Sequence, residues 1–261
     1  MNKAYVWSVL VFAVVISIVT VINKKETSEL KKTLEFPRRI FQTWKSKTVI
    51  PDNMAYWSST FKKQNPGYQY ELWDDNDNRN FIKNNFSWFL DIFDGYDAAI
   101  KRADAVRYFY LYKYGGVYAD MDFECLRPLD SLLIRYSDAE VLLGSMHTNE
   151  TDSGHSIPNA IMISKPGAKF WLVVMHLLKK YKDSPHTETA TGPILLKRAV
   201  EIYDSDCEVR VLDPSVMYPI SWSVEPDTRL EILKGNPREI TARVKQQYPK
   251  AYAATYWTHS W

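Results

Sequence analysis

The sequence predicts an α/β domain with a mostly parallel central sheet flanked by helices, preceded by one transmembrane helix. Three observations carry that expectation. Short apolar strand patterns alternate with helical ones along most of the chain, the order that builds parallel sheets. Residues 98–124 (AAIKRADAVRYFYLYKYGGVYADMDFE) read as a helix, a double-glycine stop and a short buried strand. Residues 4–22 carry no charged side chain. As a helix they would be about 28 Å long, near the thickness of a bilayer core.

The chain then divides into a short tail (1–3), a membrane anchor (4–22), a polar Lys/Glu-rich stem (23–36) and one globular domain (37–261). A signal peptide is the rival for 4–22. Its apolar core is usually shorter, and no small-x-small cleavage site follows, so a retained anchor is expected. The span is short, which suits the Golgi or endoplasmic reticulum better than a plasma membrane. Two glycosylation sequons, Asn85-Phe86-Ser87 and Asn149-Glu150-Thr151, permit a lumenal domain but are no more than chance supplies. The net charge of +2 gives no argument for nucleic acid. Two cysteines, Cys125 and Cys207, lack metal-site spacing.

Within the domain, Arg38 to Trp44 reads as a first strand after Pro37. Pro51 opens a helix through Tyr56, Trp57 and Phe61, closed at Asn65-Pro66-Gly67. Tyr68 to Trp73 alternates as a second strand, and Asp74 to Asp77 caps a helix through Phe81 and Ile82. In the central helix Ala99, Ala103, Val106 and Tyr110 form an apolar stripe. Further strands are expected at Val141–Leu143, Asn159–Ser164 and Val209–Leu212, and helices at Phe170–Tyr181 and Leu195–Tyr203. Residues 147–157 form a polar loop. The aromatic end, Tyr252 to Trp261, is expected to fold back on the domain.

The chemistry concentrates at Asp120 and Asp122. The strand is expected to end in these two aspartates, so that alternation puts both on one face with Tyr118, and Val117, Ala119, Met121 and Phe123 on the other. Two carboxylates so placed can converge on a hard divalent cation, Mn²⁺ or Mg²⁺, and its phosphate ligands. A lone D-x-D is more often a pair of solvated loop charges. The apolar strand before it changes the odds, because carboxylates near a core need a partner or a cation. Asp104 and Arg107, three apart, share a helix face; the plain reading is a helix ion pair.

These segments resemble a known family: the DxD glycosyltransferases that include the fungal initiating α-1,6-mannosyltransferases and the inositol phosphorylceramide mannosyltransferases. The resemblance rests on Arg39-Ile40-Phe41-Gln42-Thr43-Trp44, Trp73-Asp74-Asp75, Arg102 to Tyr108, Tyr114 to Asp122, Asn159 to Met162, Lys165-Pro166-Gly167 and Thr191-Gly192-Pro193. It implies a GT-A-like nucleotide-sugar-binding fold. It also implies transfer of a hexose with retention, most simply mannose from GDP-mannose, onto a sphingolipid or glycan acceptor. Asp122 would bind the metal directly and Asp120 would assist. Asp104, Arg107 and Asn159 would face the donor sugar, and Thr43 and Trp44 the base. Relatives often carry a metal-binding His near a closing Ser-Trp. Here Thr255 stands at that position and His259 is the candidate replacement. The resemblance leaves room for a regulatory subunit. Two other classes compete: a DxD-type phosphohydrolase, and a non-catalytic lumenal subunit of a glycosyltransferase complex.

Overall fold

A computed structural model of the chain describes residues 35–146, 154–203, 205, 208–222 and 231–258. The expected anchor, nearly all of the stem, Cys207 and His259 lie outside them. Among the described residues no helix is long and apolar enough to cross a membrane. Residues Phe36–Trp261 form one compact unit.

The elements run β1 (Arg39–Thr43), α1 (Asp52–Gln64), β2 (Gln69–Trp73), α2 (Asp75–Asn85), α3 (Leu90–Asp94), α4 (Ala99–Tyr114), β3 (Gly116–Ala119) and β4 (Phe123–Cys125). There follow α5 (Asp130–Arg135), β5 (Val141–Gly144), β6 (Ile161–Ser164), α6 (Phe170–Lys180), α7 (Thr187–Ala190) and α8 (Pro193–Tyr203). The last are β7 (Val209–Leu212), α9 (Pro214–Met217), α10 (Pro237–Gln247) and β8 (Ala253–Thr255). Six strands form one sheet in the order β2-β1-β3-β6-β5-β7. Five are mutually parallel; β6 runs against both its neighbours. β5 and β6 are consecutive and adjacent, which antiparallel pairing allows without a crossover helix. A separate ribbon pairs β4 with β8.

Alternation along the strands splits the core. Phe41 and Tyr118 face the helix-covered side with α4 and α6, while Ile40, Val117 and Ala119 face the other. The acidic run does cap α2: Asp74 accepts from Asn76 N and Asp77 N, and the Asp77 carboxylate accepts from Asp74 N at 3.0 Å. Gly115 (φ 63°) and Gly116 (φ 93°) reverse the chain between α4 and β3. A Cβ on Gly116 would stand 2.7 Å from the Arg39 carbonyl of the neighbouring strand. Only glycine fits there.

Two expectations change. α4 is not a one-striped surface helix: residues 103–111 are all buried, including Asp104 and Arg107. It runs through the interior between the sheet and α6, so helical periodicity could not reveal its full burial. Second, β3 ends at Ala119. Asp120 and Asp122 sit on a turn closed by Phe123 N donating to Asp120 O at 3.1 Å. Strand alternation therefore does not orient them; the turn does. Of the aromatic end, the described residues 252–258 fold back on the domain as expected. Tyr256 stacks on Trp57 with centroids 4.4 Å apart.

Candidate active site at the Asp120–Asp122 turn

The turn backbone is held by two neighbours. Asp120 N donates to Ala160 O at 2.8 Å, and Asp120 O accepts from the Gln42 amide at 3.0 Å. Gln42 is itself fixed, accepting from Ser58 at 2.7 Å and Tyr70 at 2.8 Å. A backbone so pinned sets where both carboxylates go.

Arg107 is the hub behind them. Its guanidinium pairs with Asp104 at 3.0 Å and Asp120 at 3.1 Å, and lies 4.4 Å from the centre of the Tyr118 ring. It also donates to the carbonyls of Ala103 and Asn159. The Tyr118 hydroxyl donates to Asp120 Oδ1 at 2.5 Å, the same oxygen that meets Arg107. Asp104 is fixed from its far side. Asn159 donates to Oδ1 and Thr191 to Oδ2, both at 3.1 Å. Tyr108 closes this network, accepting from Asn159 at 3.0 Å and donating to Thr191 O at 2.7 Å. Asp122 is held by the returning C-terminus: Thr258 N donates to its Oδ2 at 3.1 Å.

Asp104, Arg107, Asp120, Asp122, Asn159 and Trp44 line one cavity of about 230 Å³, together with Thr255, Trp257 and Thr258. Thr43 does not line it. It is buried, its hydroxyl accepting from Asn78 at 2.7 Å and donating to Trp73 O. Trp44 reaches the cavity while its indole NH donates to Val49 O at 3.0 Å. Asp75 opens instead into a separate polar pocket beside Arg79 and Arg102. Tyr118, Gln42, Tyr108 and Thr258 are structural members of the site that motif reading left without roles. Gln42, Tyr108 and Tyr118 lay inside quoted motifs. The contact of Thr258 with Asp122 spans the second half of the chain and leaves no local signal.

The electrostatics are lopsided. Three carboxylates face the cavity, and among its described lining residues Arg107 is the one basic side chain. Burial pushes Asp104 up to about 6, against the pull of Arg107 and with repulsion from Asp120. Burial, reinforced by Asp120, lifts Asp122 to about 6. Asp120 is raised by burial too, moderated by Arg107 and Tyr118. Burial pulls the Arg107 pKa down, but Asp120, Tyr118 and Asp104 outweigh it and raise it above the ordinary value. With all groups ionised the site carries a surplus of two negative charges.

A hard dication fits this donor set. Among the described residues Asp122 has no cationic partner, and both the Tyr118 and the Arg107 contacts of the Asp120 carboxylate fall on Oδ1. Among the described residues no three His, Cys, Asp or Glu side chains converge as a ready-made cage. Mg²⁺-type sites commonly use one or two carboxylates and take their remaining ligands from water and substrate phosphates.

Comparison with known proteins gives the same motif a family. The glycosyltransferase sugar-binding region containing the DXD motif matches residues 51–138, a stretch that holds Asp104, Arg107, Asp120 and Asp122. Inositol phosphoceramide mannosyltransferase 2 of Schizosaccharomyces pombe is 46% identical over 172 residues, 64% of this chain and 47% of that protein. A mannosyl phosphorylinositol ceramide synthase of Saccharomyces cerevisiae is 35% identical over 190 residues, 69% of this chain and 48% of its own. The initiation-specific α-1,6-mannosyltransferase of Candida albicans is 31% identical over 114 residues, covering 41% of this chain and 29% of that one. The chain spans about half the length of the two inositol phosphoceramide relatives. The matched stretch includes Asp120-Met121-Asp122, whose carboxylates line the cavity.

Proposed function

We propose that this chain is a membrane-anchored, metal-dependent retaining glycosyltransferase of GT-A type. It moves mannose from GDP-mannose onto inositol phosphorylceramide or a glycan, in the Golgi or endoplasmic reticulum with its domain lumenal. The observation that supports this best is the surplus of carboxylates, three against one guanidinium, in a cavity at a pinned turn. Such a site is completed by a dication and the diphosphate that comes with it. The names of the relatives supply the sugar and the acceptor; the uncharged stretch 4–22 supplies the anchor.

Mn²⁺ or Mg²⁺, held by Asp122 and Oδ2 of Asp120, would neutralise charge on the departing diphosphate. The chain's own residues do the rest. Arg107, fixed by two carboxylates and a tyrosine ring, directs permanent positive charge at donor oxygens. Asp104, its carboxylate clamped by Asn159 and Thr191, accepts from sugar hydroxyls. Trp44 walls the base end. The bond from the anomeric carbon to the diphosphate oxygen breaks, and its electron pair leaves with GDP. The acceptor hydroxyl bonds the same face, and its proton passes to the leaving phosphate oxygen. No side chain is asked to be a covalent nucleophile, since each carboxylate nearest the hub is already tied.

The test is transfer from GDP-mannose to inositol phosphorylceramide in Mn²⁺ by wild type and Asp122→Ala. A loss of at least about a hundredfold in kcat is expected, the scale at which removing one charge-stabilising group acts. Wild-type activity in the variant would sink the metal-site reading.

A further inference from the structure

At the far end of the β4–β8 ribbon a second, basic surface gathers. Asp122 precedes β4 and Arg127 follows it, so the two lie up to about 15 Å apart along the ribbon. There Arg127, Arg135 and Lys250 line a cleft of about 460 Å³ with Tyr136 and Tyr252. All three cations are exposed. None has a carboxylate partner within ion-pair distance among the described residues. Arg127 lies 5.7 Å from the Tyr252 ring centre and donates to Pro249 O; Arg135 lies 5.6 Å from the Tyr136 ring centre. The acids nearby are engaged elsewhere. Asp213, on the cleft wall, caps α9 by accepting from Ser215 N at 2.9 Å. Asp130 pairs with Arg38 and Asp138 with Arg210. Beside Arg135, Ile134 is 73% exposed, the most exposed large apolar side chain among the described residues.

Cations, tyrosines and a bare isoleucine on one face match the chemistry of an acidic bilayer surface. Lysine and arginine meet lipid phosphates, tyrosine sits at headgroup level, and the aliphatic side chain enters the acyl boundary. A second observation points the same way. The chain enters the domain beside α5: Phe36 shares an apolar cluster with Leu129, Leu132 and Leu133, and Arg38 meets Asp130 at 3.4 Å. A coil of the length of residues 23–35 reaches about 20 Å. If 4–22 is the anchor, the first residue of the domain, beside α5, is joined to the membrane by a linker of that reach.

We propose that the α5 face, centred on Arg127, Arg135 and Lys250 with Ile134 at its edge, docks on anionic phospholipid headgroups of the bilayer that anchors the chain. The docking holds the catalytic cavity a ribbon's length from the headgroup layer, where a lipid acceptor presents its sugar. This rests on the anchor reading, and the experiment separates the two.

The full-length protein is reconstituted into vesicles of neutral phosphatidylcholine and into vesicles with about 30 mol % phosphatidylserine. Flotation of the protein with neutral vesicles reads the anchor. Amide hydrogen exchange in segments 127–137 and 248–252 reads the docking. Exchange there is expected to slow several-fold in the anionic vesicles alone. The slowing should vanish in about 0.5 M NaCl, where the screening length falls to about 4 Å. It should also vanish in R127E/R135E/K250E, a variant that leaves the cavity's residues untouched. Should that variant misfold, the salt arm on wild type still decides. Flotation without lipid-dependent protection overturns the docking and leaves the anchor. Protein that floats with anionic vesicles alone, with α5 protected, removes the anchor and keeps the docking face. Protection equal in both lipids, or indifferent to salt, overturns the proposal.

Discussion

Asp104 owes its usefulness to neighbours that never touch substrate. Thr191 donates to its Oδ2 and Asn159 to its Oδ1, so the carboxylate cannot rotate. Removing one donor leaves a buried acceptor with an unmet lone pair, which costs about 1–2 kcal/mol. Thr191→Val keeps the shape and deletes the donor. The expected result is an unfolding free energy, from urea titration, lowered by that amount and a GDP-mannose KM raised roughly tenfold. An unchanged KM would show that Asp104 needs no clamp. Arg107 makes the same point from the other side. Lysine would keep one positive charge there, but it could not span both Asp104 and Asp120 while lying flat on Tyr118. Arg107→Lys is expected to lose most transfer activity, read as kcat, while the domain remains folded by circular dichroism.

At the scale of elements, the glycine pair between α4 and β3 sets the turn one strand-length away. Gly116 has φ 93°, and a methyl there would press on the Arg39 carbonyl of β1 at 2.7 Å. Gly116→Ala should cost about 3 kcal/mol and lower Tm by about 6–12 °C, measured by calorimetry. A shift under a degree would mean that β1 gives way freely. Elements of this kind were the legible part of the sequence. The double glycine, the Asp74 capping run and the strands at 39–43, 69–73 and 209–212 declare themselves through local chemistry, and they appear within a residue or two of where they were expected. What stayed hidden was long-range. The three-residue strands β4 and β8 pair across residues 123 and 255, too short to show periodicity and held by a partner far along the chain. The turn at Asp120–Asp122 was hidden for a related reason: an apolar strand pattern does not say where pairing stops. The site residues themselves were largely legible, because charged side chains inside an apolar pattern stand out. Thr43 shows the limit. Its motif placed it near the cavity, and Asn78 and Trp73 turned it inward.

For the molecule as a whole, the surplus negative charge in the cavity makes stability depend on pH in an unusual direction. Asp104 rises from the ordinary 3.8 to about 6 because burial disfavours its charge. An acid with a raised folded pKa takes up a proton on folding. Its stabilising contribution is complete below about pH 4 and is lost as pH climbs through 6. For Asp104 this amounts to about 3 kcal/mol at most across that window. Many proteins lose stability on acidification near pH 5; this site pushes the other way. The comparison that isolates it uses EDTA-treated wild type and Asp104→Asn, unfolded in urea at about pH 5 and about pH 7.5. Wild type should lose more stability between the two than the variant, which cannot titrate at that position. Adding Mn²⁺ at the higher pH should restore part of the loss, because a bound cation stabilises the ionised carboxylates and only the folded state assembles them. Parallel pH profiles for the two proteins would mean that Arg107 alone satisfies Asp104, and the case for a site short of positive charge would lose its thermodynamic leg.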